Sequence, residues 1–102
     1  MNIFNTIDIK TAIYKIDINH ALVLDIRDKE SFDSGHIDGA LNLSNDNIDD
    51  FISNTKKDKS LIVYCYHGNS SQKAAEFLAS HGFIDVYSLD GGYEEWKTKN
   101  IK

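Results

Sequence analysis

Two short, nearly unbroken apolar runs, ALVLDI at 21–26 and LIVY at 61–64, restrict this chain more than any other feature. A strand apolar on both sides is buried on both faces, an environment found in the middle of a parallel sheet covered by helices. Shorter runs at 40–43 (ALNL) and 86–89 (VYSL) read as further strands. Helical patterns fall between them. Asp8 can cap a first helix that carries Ile9, Ala12, Ile13 and Ile16 on one side. Residues 29–34 form a short helix that Gly35 stops. Asn45 or Asp46 can cap a third helix, with Ile48, Phe51 and Ile52 on one side. Residues 71–81 give a helix whose buried stripe is Ala74, Ala75 and Leu78, with Gly82 suited to the position just past its end. Asp90 and the Gly91-Gly92 turn lead into a last helix bearing Tyr93 and Trp96. This alternation predicts an α/β fold with a mostly parallel sheet. Ligands of such sheets bind beyond the carboxyl ends of the strands.

Length and charge narrow the function. A chain of 102 residues fits one domain over 1–102. Its 41% hydrophobic content argues against disorder. The polar stretch SNTKKDKS at 53–60 is short enough for a surface loop. The net charge of −5, from 16 acids and 11 bases, disfavours a nucleic-acid binder, which needs clustered Lys and Arg. Nothing approaches the roughly 20 apolar residues of a membrane span. The N-terminal MNIFNTIDIK lacks a basic start leading into an apolar run, so a cytoplasmic location is expected.

The chain has one cysteine, Cys65, at the carboxyl end of the 61–64 run. A lone cysteine makes no internal disulfide and no multi-thiolate metal site. It is either a small core residue or a reactive thiol. The context favours the thiol. Gly68 and Asn69 both tolerate left-handed backbone, so the loop after Cys65 can curl and turn its N–H groups inward as an anion nest. The helix that follows adds its positive end. A free cysteine is only about 3% thiolate at pH 7, and such surroundings lower thiol pKa values to roughly 3.5–7.5.

Three chemistries use a cysteine in a curled loop. Phosphatases and arsenate reductases of this geometry require Cys-x5-Arg, and Ser71 occupies the arginine position. Papain-like catalysis needs a histidine base with an orienting partner; His67 lies in the same tight loop and has none evident. Sulfur transfer fits better. A thiolate attacks the outer sulfur of thiosulfate and expels sulfite, a leaving group that needs no general acid. The site then holds a persulfide anion, which backbone N–H donors can do. With no second cysteine to discharge it through a disulfide, the sulfur waits for an external acceptor.

The segment 65–71 (CYHGNSS), with the apolar strand before it and Lys73-Ala74-Ala75 after it, resembles the active-site loop of single-domain rhodaneses, most of all the bacterial thiosulfate sulfurtransferases. Residues 24–40 (LDIRDKESFDSGHIDGA) are similar to the first family signature, an Asp-x-Arg strand end followed by Gly-His-Ile-x-Gly-Ala. Residues 89–96 (LDGGYEEW) resemble the C-terminal one. The resemblance covers nearly the whole chain. It implies a five-stranded, mostly parallel sheet flanked by helices on both faces. It implies Cys65 as the persulfide-forming residue, with Tyr66, His67, Gly68, Asn69, Ser70 and Ser71 forming the substrate-binding loop. Thiosulfate is the implied donor, cyanide or a dithiol such as reduced thioredoxin the acceptor, and no cofactor or metal is expected. Two alternatives keep the fold: a relay protein that takes its sulfur from a partner's persulfide, and a non-catalytic rhodanese-like binding module, a reading that Cys65 disfavours.

The remaining polar residues have structural readings. Many rhodaneses carry a basic residue in the loop, where this chain has only His67. Lys73 reads as a solvated lysine. Asp25 and Arg27 read as a polar pair that supports the loop, and His36 as a hydrogen-bonded turn residue. His20 and His81 fit surface or helix-end positions, and Tyr93 and Trp96 fit the core or a pocket wall.

Overall fold

The computed structural model describes residues 3–99; residues 1, 2 and 100–102 lie outside the described part. Five strands form one sheet: β1 (Asn5–Ile7), β2 (Leu22–Asp25), β3 (Leu41–Asn42), β4 (Leu61–Tyr64) and β5 (Val86–Leu89). Their order is β1-β5-β4-β2-β3, and every ladder is parallel. The helices are α1 (Ile9–Asn19), α2 (Lys29–Ser34), α3 (Ile48–Asn54), α4 (Ser70–Ser80) and α5 (Gly92–Thr98).

The apolar runs fall in the centre of the sheet, and alternation along each strand serves two cores. On one face Ile7, Val23, Ile62, Tyr64 and Leu89 pack with Ile9 and Ala12 of α1 and Trp96 of α5. On the other, Leu24, Leu61, Val63 and Val86 pack with Ala75, Leu78 and Ala79 of α4, joined by Phe51 and Ile52 of α3. The expected stripe on α4 is therefore present. Asp8 caps α1 by accepting from the Thr11 N–H at 2.8 Å. His20 and His81 stand at the C-caps of α1 and α4, and Trp96 is core.

Some boundaries differ from the sequence reading. β1 has three residues with only Ile7 buried, too little for an apolar pattern to register. The cap position of α3 is Asn47 rather than Asn45 or Asp46. Its side chain ties the preceding turn, accepting from Ser44 N–H at 2.8 Å and donating to the Asn42 carbonyl at 2.9 Å. Helix α4 starts one residue early, at Ser70, because Asn69 already has helical backbone angles. None of the described helices is long and apolar enough to cross a membrane.

Candidate active site

Strand β4 ends at Tyr64, so Cys65 sits at the carboxyl edge of the sheet with its neighbours fixed on both sides. Only 5% of the residue is exposed. The chain then curls back. Gly68 has φ +94, in the region that favours glycine, and a Cβ there would lie 3.1 Å from Gly91 N and 3.2 Å from Leu89 O. Asn69 does not share the left-handed conformation anticipated for it; its φ of −91° and ψ of −59° start the helix instead. One residue, Gly68, thus makes the reversal.

The reversal aims donors at the sulfur. Gly68 N–H points at Cys65 Sγ from 3.2 Å and Ser71 N–H from 3.3 Å. Ser71 Oγ lies 3.4 Å from Sγ and 2.7 Å from Ser88 Oγ, and both serines are buried. Burial pushes the Cys65 thiol pKa up, but the Ser71 hydroxyl, its amide, and the amides of Gly68 and His67 outweigh it and hold the thiol below its ordinary value. No charged side chain is needed for this. Lys73 is exposed, and so is His67.

The carbonyl side of the loop is held by α5. Tyr93 N–H donates to Cys65 O at 2.9 Å and Glu94 N–H to Tyr66 O at 3.0 Å. Gly92 permits this approach, since a Cβ on it would overlap both carbonyls. Gln72 fastens the loop from within by donating to Gly68 O at 3.0 Å. Tyr66, exposed at the rim, donates through its hydroxyl to Asp28 and contacts Ser31 Oγ, which joins the loop to the first turn of α2. Tyr66 acting first, with Ser31 next, holds the Asp28 carboxyl down at about 2.

Beneath the rim, Asp25 and Arg27 form a buried pair. Asp25 accepts from Arg27 Nη2 at 2.8 Å, Arg27 N–H at 2.8 Å and the Tyr64 hydroxyl at 2.6 Å. Arg27 also donates to Gly35 O at 2.6 Å and lies 4.2 Å from the Tyr93 ring centre. Its guanidinium is committed to the scaffold, as the supporting role required. His36 shares a hydrogen bond with Phe32 O at 2.7 Å and stacks on the Phe32 ring, which matches its reading as a turn residue.

Of the loop residues singled out in the sequence, Gly68 and Ser71 meet Cys65 directly. His67 contributes through its amide, while the side chains of Tyr66 and His67 and residues Asn69 and Ser70 face solvent. Sequence reasoning missed Ser88. The one available signal was a hydroxyl inside the otherwise apolar VYSL strand. A cleft of about 800 Å³ runs past Asp28, Leu41, Asp46 and Ala74, and Cys65 is not among its lining residues. A thiol whose pKa is held down by a fence of N–H and O–H donors, with no acidic or basic side chain hydrogen-bonded to it among the described residues, suits attack on a soft electrophile whose leaving group departs as an anion.

Known proteins agree with this architecture. Residues 9–99 match the family of rhodanese-like domains. The chain is 45% identical over 100 residues to the thiosulfate sulfurtransferase GlpE of Shewanella oneidensis, covering 98% of this chain and 99% of that one. It is 57% identical over 79 residues to the GlpE of Ectopseudomonas mendocina, covering 78% and 72%. Among solved structures, a rhodanese-like domain from an Anabaena protein superposes with a TM-score of 0.80 at 28% identity, covering 92% and 74%. The human single-domain sulfurtransferase TSTD1 shares the fold, with a TM-score of 0.82 at 21% identity over 92% and 96%. The sheet order, the Cys65 loop and these matches converge, and the chain belongs to the rhodanese-like family.

Proposed function

We propose that this chain is a thiosulfate sulfurtransferase, working as one domain over residues 1–102, with Cys65 as its nucleophile and sulfur carrier. The observation that carries this reading is the convergence of the Gly68 and Ser71 amides on Cys65 Sγ, at 3.2 and 3.3 Å. In the first half-reaction the thiolate attacks the outer sulfur of thiosulfate. The Sγ–S bond forms, the S–S bond of thiosulfate breaks, and sulfite leaves with the electron pair. Cys65 is left as a persulfide. In the second half-reaction an acceptor attacks the outer sulfur, and Sγ recovers its electron pair as thiolate. Cyanide leaves as thiocyanate. A dithiol such as reduced thioredoxin becomes a disulfide and releases hydrogen sulfide.

The loop 66–71 binds the donor through its amides and through the Ser71 hydroxyl. The net charge of −5 opposes a dianion at low salt, so thiosulfate affinity is modest. A single cysteine that must remain reduced between turnovers fits the cytoplasm. The test is thiocyanate formation from thiosulfate and cyanide, together with intact mass after thiosulfate treatment. The wild type gains one sulfur atom, which dithiol removes, and Cys65→Ser neither gains it nor turns over. Wild-type protein that shows no activity and no added sulfur overturns the proposal.

A further inference from the structure

The hydroxyl of Ser88 has no part in the chemistry so far, yet it is one of four polar or charged residues buried among the described ones. It sits on the interior strand β5, paired in register with Val63 of β4 and Thr6 of β1. On that strand it faces the α4 side of the sheet, as Val86 does. Among the described residues its side chain has one partner, Ser71 Oγ at 2.7 Å, and Ser71 in turn reaches Cys65 Sγ at 3.4 Å. A buried hydroxyl on an apolar strand is unfavourable unless it is bonded, so the pair has to be read as a unit.

The unit has two arrangements with the same heavy-atom positions. With Cys65 protonated, S–H donates to Ser71 and Ser71 donates to Ser88. With Cys65 ionised, both hydroxyls turn: Ser88 donates to Ser71 and Ser71 donates to the sulfur. Each donor in the second arrangement strengthens the next. We propose that Ser88 is a positioning residue for sulfur transfer: it holds the Ser71 hydroxyl proton on Cys65 Sγ when that sulfur takes back negative charge, and so makes it a better leaving group as the persulfide is discharged. This rests on the sulfur-transfer reading above and adds a division of labour to it.

The two half-reactions respond to the relay with opposite sign. In loading, Sγ is the nucleophile, and a donor that lowers its pKa also blunts it. In discharge, Sγ is the leaving group, and the same donor speeds its departure. With a Brønsted slope of about 0.4–0.5, each unit by which the thiol pKa rises makes the ionised sulfur about threefold faster in attack. Discharge slows by a comparable factor. A residue that served only packing would not split the two steps.

The experiment measures each half-reaction in a single turnover, at a pH where the thiol of every variant is ionised. Loading is followed by quenching and intact mass, and discharge by mixing purified persulfide protein with cyanide and reading thiocyanate. Ser88→Ala removes one oxygen from the core, and urea unfolding checks that the fold is kept. The relay predicts discharge slowed about threefold or more in Ser88→Ala, with loading unchanged or faster. Ser71→Ala behaves in the same way, the double variant is no worse than Ser71→Ala alone, and Ser88→Thr restores discharge. Discharge at the wild-type rate in Ser88→Ala, or equal slowing of both steps, overturns the relay. If the wild type does not load from thiosulfate, the function reading fails by itself. The relay is then decided by the pH midpoint of Cys65 alkylation, which rises in Ser88→Ala if the hydroxyls act on the sulfur and stays fixed if they do not.

Discussion

Replacing Gly92 with alanine tests whether α5 sets the Cys65 loop. Gly92 is buried with φ +59, and an added Cβ would lie 2.5 Å from Tyr66 O, 2.6 Å from Tyr66 C and 2.7 Å from Cys65 O. All three are backbone atoms and cannot rotate aside, so α5 must retreat. The hydrogen bonds from Tyr93 and Glu94 to the Cys65 and Tyr66 carbonyls go with it. A left-handed non-glycine residue costs about 1–2 kcal/mol, and each hydrogen bond lost costs about 0.5–1.5 kcal/mol. Together Gly92→Ala loses about 2–5 kcal/mol, from a total of about 5–15 kcal/mol for an ordinary domain. At about 4–8 °C per kcal/mol, Tm falls by about 8–40 °C. Urea unfolding followed by fluorescence of the sole tryptophan, the buried Trp96, reads the loss. Gly39→Ala is the internal control. It also has positive φ, but nothing lies within 4 Å of the added Cβ, so only the backbone cost of about 1–2 kcal/mol remains. The folded fraction of Gly92→Ala forms thiocyanate well below the wild-type rate, whereas Gly39→Ala does not. Equal destabilisation by the two variants, or normal turnover by Gly92→Ala, refutes the reasoning.

Three further outcomes follow from the same geometry. Arg27→Ala leaves Asp25 as an unpaired buried charge and costs about 3–5 kcal/mol in urea unfolding, far more than loss of an exposed ion pair such as Lys29–Asp33. Tyr66→Phe removes the strongest influence on Asp28, so carbon NMR titration of that carboxyl moves from about 2 toward the ordinary 3.8. The wild-type carboxylate stabilises the fold above its unfolded pKa and loses that contribution as pH falls from about 4 toward 2; the variant loses this part of its acid sensitivity. Iodoacetamide reactivity of Cys65 rises with pH to a plateau, with a midpoint shifted down from that of an ordinary cysteine by the Ser71, Gly68 and His67 donors. Ser71→Ala moves that midpoint upward, and an unmoved midpoint counts against the hydroxyl's part in lowering it.

The elements that carry the site were legible because their signals are local. The LIVY run, the glycine three residues after Cys65 and the helix stripe through Leu78 lie within 18 consecutive residues, so periodicity and turn chemistry reach them. What escaped depends on distance along the chain. Ser71 meets Ser88 across 17 positions and Tyr66 meets Asp28 across 38, and nothing in one segment announces its partner in the other. β1 escaped for a different reason. An edge strand of three residues is fixed by pairing Asn5, Thr6 and Ile7 with β5, and its own side chains carry almost no pattern. The fifth strand was therefore implied by family resemblance, and not by the residues that form it. At α3 the run Asn45-Asp46-Asn47 offers several capping residues, and the tie between Asn47 and the Asn42 carbonyl settles which one holds that position.

The contacts that α5 makes with the Cys65 and Tyr66 carbonyls also bear on how the protein is made. Synthesis delivers β4, Cys65 and α4 before β5 and α5. A fragment that stops after α4 has neither Ser88 behind Ser71 nor Tyr93 and Glu94 anchoring the Cys65 and Tyr66 carbonyls. The Cys65 corner is therefore complete only once α5 has docked, and a polypeptide cut short before α5 lacks the anchors that set its backbone.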